Sequence, residues 1–285
     1  MRPAAPGPFV FTGATAVVTG AASGIGEALA HALARRGSHL VLLDRDTTRL
    51  AAVATAITTT CPTTQVTTHH IDLADAAATR HLADTIAKTH PRIRLLVNNA
   101  GVALSGRFDQ VSLDDFEWVV DINFLAVVRL THTLLPCLRA EPGAHLVNVS
   151  SLFGLVAPAG QAAYAASKFA VRGFTEALRH ELADEALTVT SVHPGGIRTR
   201  IAQSARTGSG VPHTDPTTGP GSIARRLTID PTQAADEIIR GIQRRRARVL
   251  IGRSTTALDL LARVLPSSYG TVLAAATRTR QPTPH

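Results

Sequence analysis

Ala16-Val-Val-Thr-Gly-Ala-Ala-Ser-Gly-Ile-Gly26 is the stretch whose reading decides the fold. The short apolar run reads as a buried strand, and the glycines that follow mark a tight turn. Beyond the turn, Ile25, Leu29 and Leu33 recur at i, i+4 and i+8, one apolar stripe along a helix. A strand that passes through glycines into an amphipathic helix is the opening unit of a doubly wound α/β sheet. Gly20, Gly24 and Gly26 are spaced G-x-x-x-G-x-G, unlike the G-x-G-x-x-G of the common dinucleotide fingerprint. The spacing still lets backbone amides approach a pyrophosphate at the positive end of a helix.

The alternation continues along the chain. Strand-like runs fall at 15–19, 39–43, 65–71, 94–98, 144–150, 187–193 and 248–251, with helical patterns at 24–36, 46–60, 74–90, 112–139, 160–185 and 231–246. Near-continuous apolar strands between helices predict a parallel sheet buried on both faces. The fold class is therefore α/β, one Rossmann-type domain over 12–252 with a seven-stranded parallel sheet and helices on both sides. Residues 1–11 read as an N-terminal extension and 253–285 as an amphipathic tail, in which Leu258, Leu261 and Leu265 keep helical spacing. The Gly-, Pro-, Ser- and Thr-rich stretch 199–228 follows the end of a strand, where ligands bind in such sheets, and reads as a substrate lid.

Composition narrows the function classes. A 285-residue chain that is 45% hydrophobic has ample core for one α/β domain. No hydrophobic stretch reads as membrane-spanning, since Arg253, Asp259 and Arg263 interrupt the best candidate, 249–276. The N-terminus has no apolar core of signal-peptide type, so the cytoplasm is the expected location. Cys61 and Cys137 stand far apart and the histidines are scattered, so neither a disulfide framework nor a metal site is expected. The net charge of +8 comes from arginines spread over the whole chain, which argues against nucleic acid as a partner. Arg244, Arg245, Arg246 and Arg248 form the one dense cluster; a helix end suits it, and a membrane-surface contact is the less favoured reading. Lys88 and Lys168 are the only lysines, so a lysine at position 168 points to a specific need for an ammonium.

Position 168 belongs to Tyr164-Ala-Ala-Ser-Lys168, which sets a phenol and an ammonium one helical turn apart on one face. Ser151 ends the strand-like run Leu146-Val-Asn-Val-Ser-Ser151 thirteen residues before the tyrosine. Upstream, Asp44 closes the second strand twenty residues after Gly24, where an acid binds the adenosine ribose hydroxyls and repels a 2′-phosphate. NAD(H) is thus preferred. Arg45 next to it could meet a phosphate, which keeps NADP(H) open, and Ser23 supplies no cation to help.

These residues resemble the short-chain dehydrogenase/reductase family over about positions 12–252, through the glycine turn, Asn98-Asn-Ala-Gly101, Asn123, Ser151, Tyr164, Lys168 and Pro194-Gly-Gly-Ile-Arg-Thr199. The resemblance implies strand order 3-2-1-4-5-6-7 and a homodimer or homotetramer built on the long helices. It implies Asp72 near the adenine, Asn99, Ala100 and Gly101 supporting the central strand and cofactor, and 194–199 on the nicotinamide carboxamide with Thr199 donating. It also implies that Asn123 holds a water linking Lys168 to solvent and that the Lys168 ammonium bonds the nicotinamide ribose. Together the expected cofactor contacts are Gly20, Ser23, Gly24, Ile25, Gly26, Asp44, Arg45, Asp72, Leu73, Asn99, Ala100, Gly101, Tyr164, Lys168, Pro194, Gly195, Ile197 and Thr199. The catalytic candidates are Asn123, Ser151, Tyr164 and Lys168.

The chemistry follows from ordinary pKa values. A free phenol ionises near ~10, and a cation close by can lower that by roughly 1–3 units. Tyr164 beside Lys168 is then a general acid/base for an alcohol–ketone pair, and Ser151 donates to the substrate oxygen. The expected substrate contacts are Leu104, Ser151, Phe153, Tyr164 and Gly196, with Val102, Leu155, Val156, Pro158 and Gly195 completing an apolar lining. That lining favours a fairly apolar secondary alcohol or ketone; Arg200 and Arg206 in the lid could meet an anionic group. Two other readings compete: a dinucleotide-sensing protein without catalysis, and a membrane-surface dehydrogenase for lipid or retinoid-type substrates.

Overall fold

The computed structural model describes residues 7–202, 204–211 and 228–272. Position 203, most of the expected lid (212–227) and the end of the tail (273–285) lie outside the described residues, as do residues 1–6.

Seven parallel strands form the sheet: β1 (Thr15–Thr19), β2 (His39–Asp44), β3 (Val66–His70), β4 (Leu95–Asn98), β5 (Ala144–Val149), β6 (Leu187–Pro194) and β7 (Arg248–Ile251). Their spatial order is β3-β2-β1-β4-β5-β6-β7, with Val17 opposite Val41 and Leu96, and Leu146 opposite Leu96 and Val189. This is the expected 3-2-1-4-5-6-7 arrangement, reversing direction between β1 and β4. The helices are α1 (Gly24–Ala34), α2 (Thr47–Thr60), α3 (Ala76–Thr89), α4 (Leu113–Arg139), α5 (Ala162–Glu181), α6 (Pro231–Gln243) and α7 (Arg253–Val264).

Strand alternation divides the core into two layers. Ala16, Val18, Leu40, Leu42, Leu95 and Val97 face Leu29 and Leu33 of α1, Leu50 and Ile57 of α2, and Ile238 and Ile242 of α6. Val17, Val41, Leu43, Leu96 and Leu146 face Ala83 and Ile86 of α3 and Leu130, Leu134 and Leu138 of α4. Acidic and hydroxyl caps start several helices: Asp46 accepts from the Arg49 amide, Asp75 from Ala77 and Ala78, Ser112 from Asp115, and Asp230 from Thr232.

Three details go beyond or correct the sequence reading. Residues 7–11 are tied into the body, since Phe9 and Phe11 are buried and pack edge to face at 4.9 Å. A separate parallel ladder pairs Leu104 and Ser105 with Arg206 and Thr207, a pair too short for any periodic signal. Finally, α4 is long and apolar enough to cross a bilayer, contrary to the reading that no stretch is. Its apolar face lies on the sheet, where Val119, Ala126, Leu130, Leu134 and Leu138 are buried. A helix against a parallel sheet needs such a face.

Candidate active site

The cofactor side is built from backbone. Gly20 and Gly24 adopt φ of +67° and +58°, a region that side chains with a Cβ rarely enter. At Gly26 the constraint is space: a Cβ would lie 2.0 Å from the Gly20 carbonyl oxygen and 2.6 Å from Asn99 Nδ2. Asn99 donates its side-chain amide to the Thr19 and Gly20 carbonyls at 2.9 and 3.3 Å. Thr19 Oγ1 accepts from the Asn99 and Ala100 amides at 2.9 and 3.0 Å, which fastens the end of β4 to the glycine turn. Ser23 makes no side-chain cap on α1, so among the described residues the first amides of that helix keep no side-chain acceptor. Uncapped amides at a positive helix end, approached closely because the glycines lack Cβ atoms, fit a dinucleotide pyrophosphate.

Asp44 has a second task that its sequence position did not reveal. Its carboxylate accepts from the Ala22 amide at 2.9 Å and the Asp46 amide at 3.0 Å, bracing the glycine turn. The Ile71 amide donates to the Asp44 carbonyl at 3.0 Å, which sets Asp72 and the buried Leu73 beside the end of β2. Asp72 itself accepts from the Ala74 amide, and Arg45 is exposed. The 194–199 segment folds back over the turn, where a Cβ at Gly24 would come within 2.9 Å of Thr199 Cγ2. Ile25 and Ile197 are buried, and Gly195 lets α7 approach, since a Cβ there would meet Thr255 Oγ1 at 2.5 Å.

On the other side of the nicotinamide cleft expected from sequence, side chains carry the geometry. The expected helix over 112–139 contains a π-turn, Asp121–Leu125, with the buried Asn123 at its centre. Such turns widen the helix to i→i+5 bonding and often occur at functional sites. Asn123 Oδ1 accepts from the Val102 amide at 2.8 Å, and Nδ2 donates to the Val102 carbonyl at 3.0 Å and Ser167 Oγ at 3.1 Å. The side chain thus bridges the segment after β4 to α5. Both its amide hydrogens are used. Gly101 leaves room for the neighbours, since a Cβ would lie 3.1 Å from Asn123 Oδ1 and 3.2 Å from Lys168 Nζ.

Lys168 is 3% exposed and donates to the Val149 carbonyl at 3.1 Å. Its Nζ stands 5.8 Å from the centre of the Tyr164 ring. Burial lowers the lysine to about 8, which still leaves an ammonium at neutral pH. Tyr164 is half-buried, with Phe153 packed edge-on at 6.0 Å. Burial raises the phenol above its ordinary value, and a hydrogen bond from Ser151 opposes that rise. This differs from the sequence expectation of a phenol lowered by the ammonium. The physical reason is that desolvation of the phenolate is the largest influence on this phenol. Ser151 is held in turn by the Phe153 amide, which donates to its Oγ at 3.1 Å.

The expected apolar lining is largely sequestered: Val102, Leu104, Leu155 and Val156 are buried, while Phe153, Pro158 and Gly196 are partly exposed. Arg206 is already engaged by neighbouring side chains. It donates to Asp115 Oδ1 at 2.8 Å and lies 3.7 Å over the Trp118 ring, so its charge and face are both occupied. The C-terminal segment also reaches the site, because the Ala157 amide donates to the Tyr269 hydroxyl at 3.2 Å. Asp115, Trp118 and Tyr269 were not legible in sequence; each contact joins residues with no local pattern linking them. The arginine cluster is also partly internal. Arg245 donates to the Gly7 and Gly143 carbonyls and to Thr188 Oγ1, and Arg248 pairs with Asp259 at 2.9 and 2.6 Å.

Known proteins share this fold. The sequence model of the family described as short chain dehydrogenase matches residues 14–210. SadH of Mycobacterium tuberculosis is 42% identical over 268 residues, covering 93% of this chain and 95% of its own. A short chain dehydrogenase/reductase from Burkholderia phymatum, solved in complex with NAD, superposes with a TM-score of 0.80 at 28% identity, covering 97% of this chain and 99% of its own. A short-chain dehydrogenase from Sphingobium yanoikuyae, solved with NADPH, gives a TM-score of 0.73 at 28% identity, covering 89% and 95%.

Proposed function

This chain belongs to the short chain dehydrogenase family, and from that premise we propose that it interconverts a secondary alcohol and a ketone, with Tyr164 as the acid–base group. A bound nicotinamide dinucleotide supplies the hydride acceptor or donor; the chain's own residues manage the proton and the developing charge. The observation that carries the reading is the gathering of three side chains: Ser151 beside the Tyr164 phenol, whose rise it opposes, with the Lys168 ammonium 5.8 Å from the tyrosine ring.

In the reducing direction the neutral phenol donates its proton to the alkoxide oxygen as charge develops there, while Ser151 donates a hydrogen bond to the same oxygen. In the oxidising direction the phenolate, which the buried ammonium favours, accepts the hydroxyl proton and returns to the neutral phenol. Asn123 keeps Val102 and Ser167 fixed around the lysine, so Nζ stays on the phenol's side of α5. The partly exposed Phe153 and Pro158 support a fairly apolar substrate. Occupation of Arg206 by Asp115 and Trp118 speaks against an anionic one at that position. For the cofactor, Asp44 at the end of β2 supports NAD(H), with NADP(H) the alternative. Two or four copies associating through α4 and α5 complete the proposal; Phe169 on α5 is 38% exposed.

The test is a panel of ketones and secondary alcohols followed by reduced-cofactor absorbance. Tyr164→Phe should keep its fold and cofactor binding and lose roughly 10²–10⁴-fold in kcat. Equal behaviour of wild type and variant across the panel would favour a cofactor-sensing protein instead.

A further inference from the structure

We propose that His193 is a positioning residue that holds Ser151 in register with Tyr164 through the Ser151 main chain. This rests on the reading of Ser151 and Tyr164 given above. His193 lies near the end of β6, opposite Leu250 of β7, and is fully buried. Its Nδ1 is 3.1 Å from the Ser151 carbonyl oxygen and its Nε2 is 2.5 Å from Ser191 Oγ. Burial pushes the imidazole down to about 4, so the ring is neutral at working pH and carries one hydrogen. A carbonyl oxygen only accepts. The hydrogen must therefore sit on Nδ1 and point at Ser151, and Nε2 must accept from the Ser191 hydroxyl.

The consequence is a chain of fixed donors: Ser191 Oγ–H to His193 Nε2, His193 Nδ1–H to the Ser151 carbonyl. The same carbonyl accepts from the Gly154 amide at 3.0 Å, so two donors hold the peptide that follows Ser151. Neighbouring strands share this anchoring, since the Ser150 amide donates to the Val192 carbonyl at 2.8 Å. With its carbonyl held by two donors and its hydroxyl oxygen by the Phe153 amide, Ser151 is fixed beside the phenol. The charged residues nearest the ring, Arg248, Arg172 and Asp259, do not form part of this chain of bonds; Arg248 and Asp259 pair with one another. Nothing in the expected proton path needs the imidazole itself. His193 acts through Ser151, not on the substrate.

Two amide substitutions separate this role from simple core filling. The asparagine nitrogen can take the place of Nδ1 and reach Ser151, whereas the glutamine nitrogen reaches towards Nε2 and Ser191 instead. Both leave a polar amide in the same buried space. The first readout needs no substrate: titration of the phenol in a Tyr269→Phe background, where Tyr164 is the one tyrosine left of the two in the chain. The hydrogen bond from Ser151 lowers that phenol, so displacing Ser151 should raise it further. His193→Asn should titrate like its parent, and His193→Gln should shift upwards by about one unit, as loss of one charge-assisted hydrogen bond predicts. On a Ser151→Ala background His193→Gln should add no shift. The second readout is kcat, reduced roughly ten- to a hundredfold in His193→Gln, near the parental value in His193→Asn, and unaffected by His193→Gln once Ser151 is alanine. Equal effects of the two amides, or an equal effect of His193→Gln with and without Ser151, would overturn the inference. The expected titration pattern in a protein that turns over no carbonyl would support the positioning role while overturning the proposed reaction.

Discussion

The two sides of the cleft are built by different means. Around the glycine turn, main-chain groups meet main-chain groups: Gly26 against the Gly20 carbonyl, Thr19 against the Asn99 and Ala100 amides. On the side proposed for the substrate, single side chains bridge distant segments: Asn123 to Val102, Arg206 to Asp115 and Trp118, Tyr269 to Ala157. A backbone cradle tolerates no added atom but dictates only a few residue types. A side-chain bracket accepts substitution at the cost of an interaction. The variants below test that contrast in order of expected effect.

Lys168 lies where the two sides meet, and its burial should make it the largest stability term. Its folded pKa, about 8, lies below the ordinary lysine value of 10.5, so between these values the unfolded chain binds more protons than the folded one. Stability therefore rises with pH across that window, and below it the full cost of burying the cation applies. Lys168→Met should be more stable than wild type at pH 7 by roughly 3 kcal/mol, and the advantage should fade between pH 8 and 10.5. Urea unfolding of both proteins at several pH values checks this. A difference that does not change with pH would mean the lysine is not buried as a cation.

Gly26→Ala attacks the cradle directly. Its Cβ would sit 2.0 Å from a carbonyl oxygen that belongs to the turn itself, so the turn must open. Overpacking of this kind costs about 1–3 kcal/mol, and affinity for NAD+ should fall roughly tenfold to a hundredfold by calorimetry. Retained affinity would show that the cradle is softer than its contacts imply. Asp44→Ser comes next. It removes a like charge facing a 2′-phosphate, and cofactor preference should move towards NADP+ by about tenfold in kcat/KM. Because Asp44 also braces Ala22 and Asp46, affinity for both cofactors should weaken together. A wild-type enzyme that already prefers NADP+ would overturn the NAD(H) assignment.

The same contrast explains what was legible in the sequence. Buried parallel strands carry a dense apolar signal, and glycines have few reasons to cluster, so the seven strands and the glycine turn could be read nearly to the residue. Tyr164, Lys168 and Ser151 were legible because spacing on one helix and one strand end is a local property. The π-turn was not: Asn123 stood out as an amide in an apolar run, but the extra residue in that turn leaves no mark on apolar periodicity. Arg206 looked like a solvated or substrate-facing cation because its partners, Asp115 and Trp118, lie about ninety residues upstream. His193 read as a strand residue before a proline, with nothing to tie it to Ser151 across the sheet.

Arg206 therefore provides the next comparison. Arg206→Ala removes the ion pair with Asp115 and the stacking on Trp118, and frees the ladder at Leu104 and Ser105. The two interactions are worth about 1–2 kcal/mol together at a half-exposed site, so KM for the substrate should rise roughly threefold to thirtyfold. KM for the cofactor should stay within about twofold, because no part of the cradle touches this clamp. Equal changes in both constants would show that the sides are mechanically coupled.

The smallest effect should come from Tyr269→Phe. The substitution keeps the ring and removes one acceptor, the phenol oxygen that takes the Ala157 amide hydrogen at 3.2 Å. Neutral bonds at such sites contribute about 0.5–1.5 kcal/mol, and water can replace the lost partner at an exposed residue. Ala157 and Pro158 follow the buried pair Leu155 and Val156, so loosening this contact should reach the apolar lining before it reaches Ser151, Tyr164 and Lys168. Substrate KM should rise about twofold to fivefold while kcat and cofactor KM hold. The increase should be larger for bulky ketones, whose far end would lie against the 155–158 segment, than for small ones. If small and bulky ketones respond alike, the tail does not border the substrate, and the bond from Ala157 to Tyr269 merely anchors the chain after α7 to the loop after β5.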